Sequence, residues 1–93
     1  MAKKKTSRSV TADNQFTDPA ELVSYFNISI SGIWEGTVTA QRSFDSGSTW
    51  LDVASWIENT EEYGFEPEAG IQYRVGMKTG GFTSGTAVVR LSQ

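Results

Sequence analysis

The sequence predicts an all-β protein: a small antiparallel β-sandwich, immunoglobulin-like or jelly-roll-like, preceded by an extended N-terminal arm. Three observations carry this. The chain has 93 residues, enough for one compact core and no second one. Its apolar residues alternate with polar ones at a period of two in several short runs, and no stretch sustains a helical period. Clusters of Gly, Pro, Ser and Asp separate the runs at spacings of roughly 8–12 residues, the rhythm of a sandwich or small barrel.

The elements follow in order. Residues 1–18 are small, polar or charged, with Val10 and Phe16 as the sizeable apolar anchors. Such a composition does not bury enough surface to fold alone, so this segment reads as an arm that is ordered by something else. The β-domain is expected over residues 19–93. In 19–25 Asp18 is placed to cap a turn of helix and Pro19 fits the first helical position, but the segment is too short to be a stable helix unaided and extended chain is equally compatible with it. Phe26, Ile28 and Ile30 then alternate with Asn27, Ser29 and Ser31 in a half-buried strand that is expected to end at Gly32. A second strand spans 36–44, with Val38 and Ala40 opposite Thr37, Thr39 and Gln41, and a third spans 50–57. A weaker run at 60–65, a clear one through Ile71, Tyr73, Val75 and Met77, and a last one at 86–91 complete six or seven strands. Pro67-Glu68-Ala69-Gly70 and Thr79-Gly80-Gly81 read as turns, and 80–85 as a glycine-rich hairpin tip.

Composition excludes a good deal. There is no Cys and no His, hence no disulfide, no thiolate nucleophile, no Cys-based metal site and no side chain that titrates near neutrality unaided. No catalytic residue and no cofactor is expected. No apolar run approaches the ~20 residues of a membrane span, and the basic start leads into polar sequence rather than the apolar stretch of a signal peptide; a soluble protein made in a reducing cytoplasm is expected. The formal net charge of −3 hides an asymmetry. Lys3, Lys4, Lys5 and Arg8 form a basic cluster, while residues 11–93 carry 11 carboxylates against Arg42, Arg74, Lys78 and Arg90, or −7.

Two further constellations need weighing. Ser43-Phe44-Asp45-Ser46-Gly47-Ser48-Thr49-Trp50 resembles an Asp-box, S-x-D-x-G-x-T-W. Its chemistry is that of a hairpin: the Asp45 carboxylate accepts from amides inside the turn, Gly47 takes a positive φ and Trp50 folds over the loop. Ser43, Asp45, Gly47, Thr49 and Trp50 are therefore structural residues. Glu58, Glu61, Glu62, Glu66 and Glu68 crowd together but lack both the close spacing of a hard-cation loop and an evident apolar cleft, so they read as a solvated acidic edge. Trp34, bracketed by Gly32 and Gly36, is expected at a loop or bend, either as a core plug or as an interface anchor. Trp50, Trp56, Tyr63, Phe65 and Tyr73 are expected to form the core and its rim.

The run from Ile30 to Asp45, with Gly47 and Thr49-Trp50-Leu51-Asp52-Val53, and the close from Gly64 to Arg74 and Ser84 to Ser92, look like the small β-sandwich virion proteins of tailed bacteriophages. The similarity covers about residues 26–92. It implies a capsid decoration or cement protein, or a head or tail accessory domain, that catalyses nothing and resides in the virion at the head surface after assembly in the bacterial host cytoplasm. Its partner would be the major capsid protein or another virion subunit, and the resemblance implies a trimer. On this reading Lys3, Lys4, Lys5 and Arg8 meet an acidic groove of a neighbouring subunit, with Val10 and Phe16 as apolar pegs and Trp34 as a further contact. Nucleic acid is the weaker target, because the acidic body opposes a polyanion, and a membrane is not expected. The alternative is a tail or head-tail module that binds host-surface carbohydrate through exposed Trp34 or tyrosines.

Overall fold

The computed structural model describes residues 4–93, and Lys3 lies outside them. Among the described residues nine strands form two antiparallel sheets: β1 (Lys5–Val10), β2 (Gln15–Phe16), β3 (Ala20–Glu21), β4 (Ser24–Gly36), β5 (Val38–Ser43), β6 (Leu51–Trp56), β7 (Thr60–Glu66), β8 (Gln72–Met77) and β9 (Phe82–Ser92). One sheet has the order β1-β9-β4-β7 and is called here the β4 sheet. The other, the β5 sheet, has the order β2-β8-β5-β6, with β3 also paired to β8. The expected all-β sandwich is the observed fold.

The alternation read from the sequence sets which side chains face inward. Phe26, Ile28 and Ile30 of β4 meet Ala87, Val89 and Leu91 of β9, and Val38, Ala40, Tyr73, Val75 and Met77 come from the β5 sheet. All are buried, as are Leu22 and Ile71. Burial of each large apolar side chain stabilises the fold by about 1.5–3 kcal/mol. Trp34, Trp56 and Phe82 pack against this core near the β4–β5 connection.

The arm is a correction. Lys5–Val10 is a six-residue strand that pairs in continuous register with β9, from Lys5 opposite Ser92 to Val10 opposite Ala87. Thr6, Arg8 and Val10 share the inward face with Leu91, Val89 and Ala87; Val10 is wholly buried, so it is not an outward peg. β9 satisfies one side of the β1 backbone ladder, and β1 forms an edge of the sheet. The chain then crosses to the other sheet over 11–14, where the Phe82 amide donates to Asp13 Oδ1 at 2.8 Å. That bond and a second one from the Gly80 amide hold the Asp13 carboxyl below its ordinary value. Composition does not reveal β1, because an edge strand needs a buried side chain and a partner, not a core of its own.

From Gln15 to Leu22 the chain runs along β8. Phe16 pairs with Gly76, Ala20 with Tyr73, and the Thr17 amide donates to Val75 O at 2.9 Å. The turn of helix allowed by Asp18 and Pro19 is absent; Ala20 and Leu22 are both buried against the core. Gly76 is required here, since a Cβ on it would stand 2.0 Å from Gln15 O. β4 also runs past Gly32 to Gly36, so Trp34 lies in a strand, paired with Gly85, rather than in a loop.

Candidate interaction surfaces

The Asp-box hairpin connects β5 to β6 and is built as its chemistry requires. Ser43 Oγ donates to Asp45 Oδ1 at 2.7 Å, the Thr49 amide donates to the same oxygen at 2.8 Å, and the Gly47 amide donates to Ser43 Oγ at 2.8 Å. Gly47 has φ +92° and sits beneath the Trp50 ring. The Ser43 hydroxyl first, and then Thr49, hold the Asp45 carboxyl below its ordinary value. All five residues serve the turn.

On the outer face of the β5 sheet aromatic and charged side chains pair with one another. The Arg74 guanidinium lies between two rings, 4.1 Å from the Phe16 centroid and 4.4 Å from that of Trp50. Its Nε donates to Gln41 Oε1 at 2.8 Å, Gln41 Nε2 donates to Asp52 Oδ1 at 2.8 Å, and Lys78 Nζ meets Asp52 Oδ2 at 2.6 Å. Phe16, expected to peg into a partner, is thus paired within its own chain. Arg8 behaves likewise: its Nη1 donates to Phe16 O at 3.0 Å and ties β1 to the other sheet. Of the predicted basic contacts, Lys4 and Lys5 remain exposed at the start of β1.

Of the five crowded carboxylates, Glu66 departs from the expected solvated edge. It is fully buried, forms an ion pair with Arg42, accepts from Tyr73 Oη at 2.8 Å, and accepts from the Glu68 amide at 2.9 Å. Burial, with the Glu66 carboxylate second, pushes the Tyr73 hydroxyl up to about 12. This network joins β5, β7 and β8. Glu58, Glu61 and Glu62 are exposed. Glu62 accepts from Trp56 Nε1 at 3.2 Å, and Glu61 lies along the edge strand β7. Among the described residues no group of three or more Asp, Glu, His or Cys side chains is placed to hold a metal ion, and no helix is long and apolar enough to cross a membrane.

The outer face of the β4 sheet differs. At one end Ile33 is 92% exposed and Ile57, in the β6–β7 connection, is 76% exposed. With Gly32, Trp34, Glu58 and Asn59 they line one shallow depression. Trp34 braces it: its ring packs on the core, its Nε1 donates to Asn59 Oδ1 at 2.7 Å, and Asn59 Nδ2 donates to Gly32 O at 3.1 Å. Trp34 is thus both plug and support, while the side chains presented outward are Ile33 and Ile57. Neither was singled out from sequence. The available signal was Ile33 continuing the outward row Asn27, Ser29, Ser31, an apolar residue where polar ones belong.

At the other end Tyr25, Tyr63 and Phe65 form a second patch. Tyr25 lies opposite Phe65 on β7, with ring centroids 4.9 Å apart, and 6.0 Å from Tyr63. The three are 65%, 72% and 54% exposed, which corrects the expectation that Tyr63 and Phe65 belong to the core. Gly64 between them faces inward, where a Cβ would stand 2.7 Å from the Phe26 ring. No protein-family model, no curated protein and no solved structure shows significant similarity to this chain.

Proposed function

We propose that this chain is a non-enzymatic structural protein of a tailed-phage virion, a decoration or accessory sandwich at the head surface, that attaches through the Ile33 end of its β4 sheet. The observation that carries the reading is the pair of aliphatic side chains held outward on a braced support. Two isoleucines exposed at 92% and 76% gain free energy when a partner covers them, at roughly 25 cal/mol per Å² of apolar surface removed from water. Being fixed on a strand and a clasped turn, they lose little backbone freedom on binding. Buried anchors ringed by polar groups are what protein interfaces use, and Glu58 and Asn59 supply such a rim. A repeating shell would multiply a modest contact through many copies. The likeness of residues 26–92 to phage sandwiches supports the virion setting, with a capsid or other virion subunit as partner.

Attachment through a free arm is no part of this reading, because β1 is held by β9. Lys4 and Lys5 contribute at most peripheral charge contacts. Co-sedimentation with particles lacking this chain tests the proposal. The double variant Ile33→Glu/Ile57→Glu is expected to fold as the parent does and to stay in the supernatant, because surface positions tolerate polar residues while an anchor does not. Co-sedimentation equal to the parent's would refute it.

A further inference from the structure

The aromatic end of the β4 sheet carries groups that its own fold leaves unused. We propose that this face, distinct from the Ile33 end and independent of the attachment reading, binds an uncharged glycan chain. Three features identify the ligand class. The first is the platform of Tyr25, Tyr63 and Phe65, whose mutual tilts of 60° and 58° give a faceted apolar shelf. A sugar ring has an apolar C–H face and a hydroxyl-bearing edge, so it covers such a facet while its hydroxyls reach sideways to polar groups. The tyrosine hydroxyls have no partner among the described residues, so each ring also offers a polar rim.

The second feature is what lies beside the platform. Asn27, Ser29, Glu61, Arg90 and Ser92, together with Tyr63, line a shallow trough across β7, β4 and β9. Register places them in adjacent rows: Tyr63, Asn27 and Ser92 in one, Glu61, Ser29 and Arg90 in the next. Arg90 makes no side-chain hydrogen bond or ion pair among the described residues, and offers donors only. Glu61 takes one bond, from Ser29 Oγ at 2.6 Å, and its Oε1 stands open as an acceptor. Asn27 and Ser92 do both. A fork of donors close to a carboxylate suits neighbouring hydroxyls, each of which donates and accepts.

The third feature is charge. Arg90 offsets Glu61 within the trough, and Glu62 at its rim leaves the lining at a formal −1. The chain as a whole carries −3 and Lys5 lies beside Arg90 in the adjoining depression, so the salt response and the polyanion controls separate a neutral glycan from a nucleic acid or an acidic polysaccharide. The outward side chains at this end are aromatic and polar, with Val23 and Val88 only 36% and 40% exposed against 92% and 76% for Ile33 and Ile57, which favours a sugar over a protein partner.

The experiment uses the full chain on immobilised neutral glucans, mannans and galactans, with hyaluronan and poly-dT as polyanions. Binding to at least one neutral glycan is expected, insensitive to added salt. Tyr25→Ala and Tyr63→Ala should each weaken it about tenfold, and Tyr63→Phe should retain most of it, with a cooperative thermal transition kept in all three. Ile33→Glu/Ile57→Glu should leave glycan binding intact while abolishing particle attachment, so the two proposals fail separately. Absence of any neutral-glycan binding, binding confined to the polyanions, or binding indifferent to Tyr25 and Tyr63 would overturn the inference. Loss of particle attachment in Tyr63→Ala without glycan binding would assign the face to a protein interface instead.

Discussion

The outer faces of the two sheets hold similar residues and use them differently. On the β5 sheet Phe16 and Trp50 enclose Arg74, and Gln41, Asp52 and Lys78 extend the chain of contacts. On the β4 sheet Tyr25, Tyr63 and Phe65 stand beside Arg90 with no such enclosure. An aromatic and an arginine on one surface form an internal brace when their partners are each other, and a binding surface when they are not. Hydrogen-bond and stacking capacity left open on a rigid sheet is the feature that points to function in this molecule.

The most disruptive test is to remove the support both faces share. Deleting residues 1–10, or placing a carboxylate in the core with Val10→Asp, should cost at least about 4 kcal/mol, because the charge is buried without a partner. Both changes should abolish the cooperative thermal transition; a truncated chain that melts like the parent would show that β1 is dispensable. Next in size is alkaline destabilisation. Burial and Glu66 raise the Tyr73 hydroxyl from 10.0 to about 12, so the folded state keeps a proton that the unfolded state has lost. This contribution is complete below pH 10 and disappears as pH rises through about 12, lowering stability by about 2–3 kcal/mol. Denaturant midpoints across that window check it, and Tyr73→Phe should flatten the dependence.

Smaller effects sharpen the contrast between faces. Arg74→Met removes the cation between Phe16 and Trp50 and should destabilise by about 1 kcal/mol, read as a lower melting midpoint. Tyr63→Ala, its counterpart on the other face, should stay within about 0.5 kcal/mol of the parent. Equal losses for the two would mean that Tyr63 is a structural brace as Arg74 is.

The strands with apolar alternation were legible in the sequence: Phe26, Ile28 and Ile30 of β4 and Tyr73, Val75 and Met77 of β8 face the core as their spacing demands. The Asp-box hairpin was legible too, because its hydrogen bonds are local. β1 was not, because its burial depends on β9, some eighty residues away, and an edge strand of Thr, Ser, Lys and Arg has almost no apolar signature. Glu66 was grouped with its acidic neighbours because nothing local shows that Arg42 and Tyr73 converge on it. Residue type assigns Tyr63 and Phe65 to the core and its rim, yet Gly64 between them takes the inward position under Phe26 and turns both rings to solvent. The exposed isoleucines follow the same logic, since facing is decided by parity and parity by the register of the whole sheet.

Hydroxyl-radical footprinting of the free and particle-bound chain tests the central claim, that contact is made at the Ile33 end of the β4 sheet. Loss of labelling at Ile33, Trp34 and Ile57 on binding, with Phe44, Leu51 and Val53 on the β5 side unchanged, is the result expected. Protection confined to the β5 side or to residues 4–10, with Ile33 and Ile57 labelled as in the free protein, would contradict it.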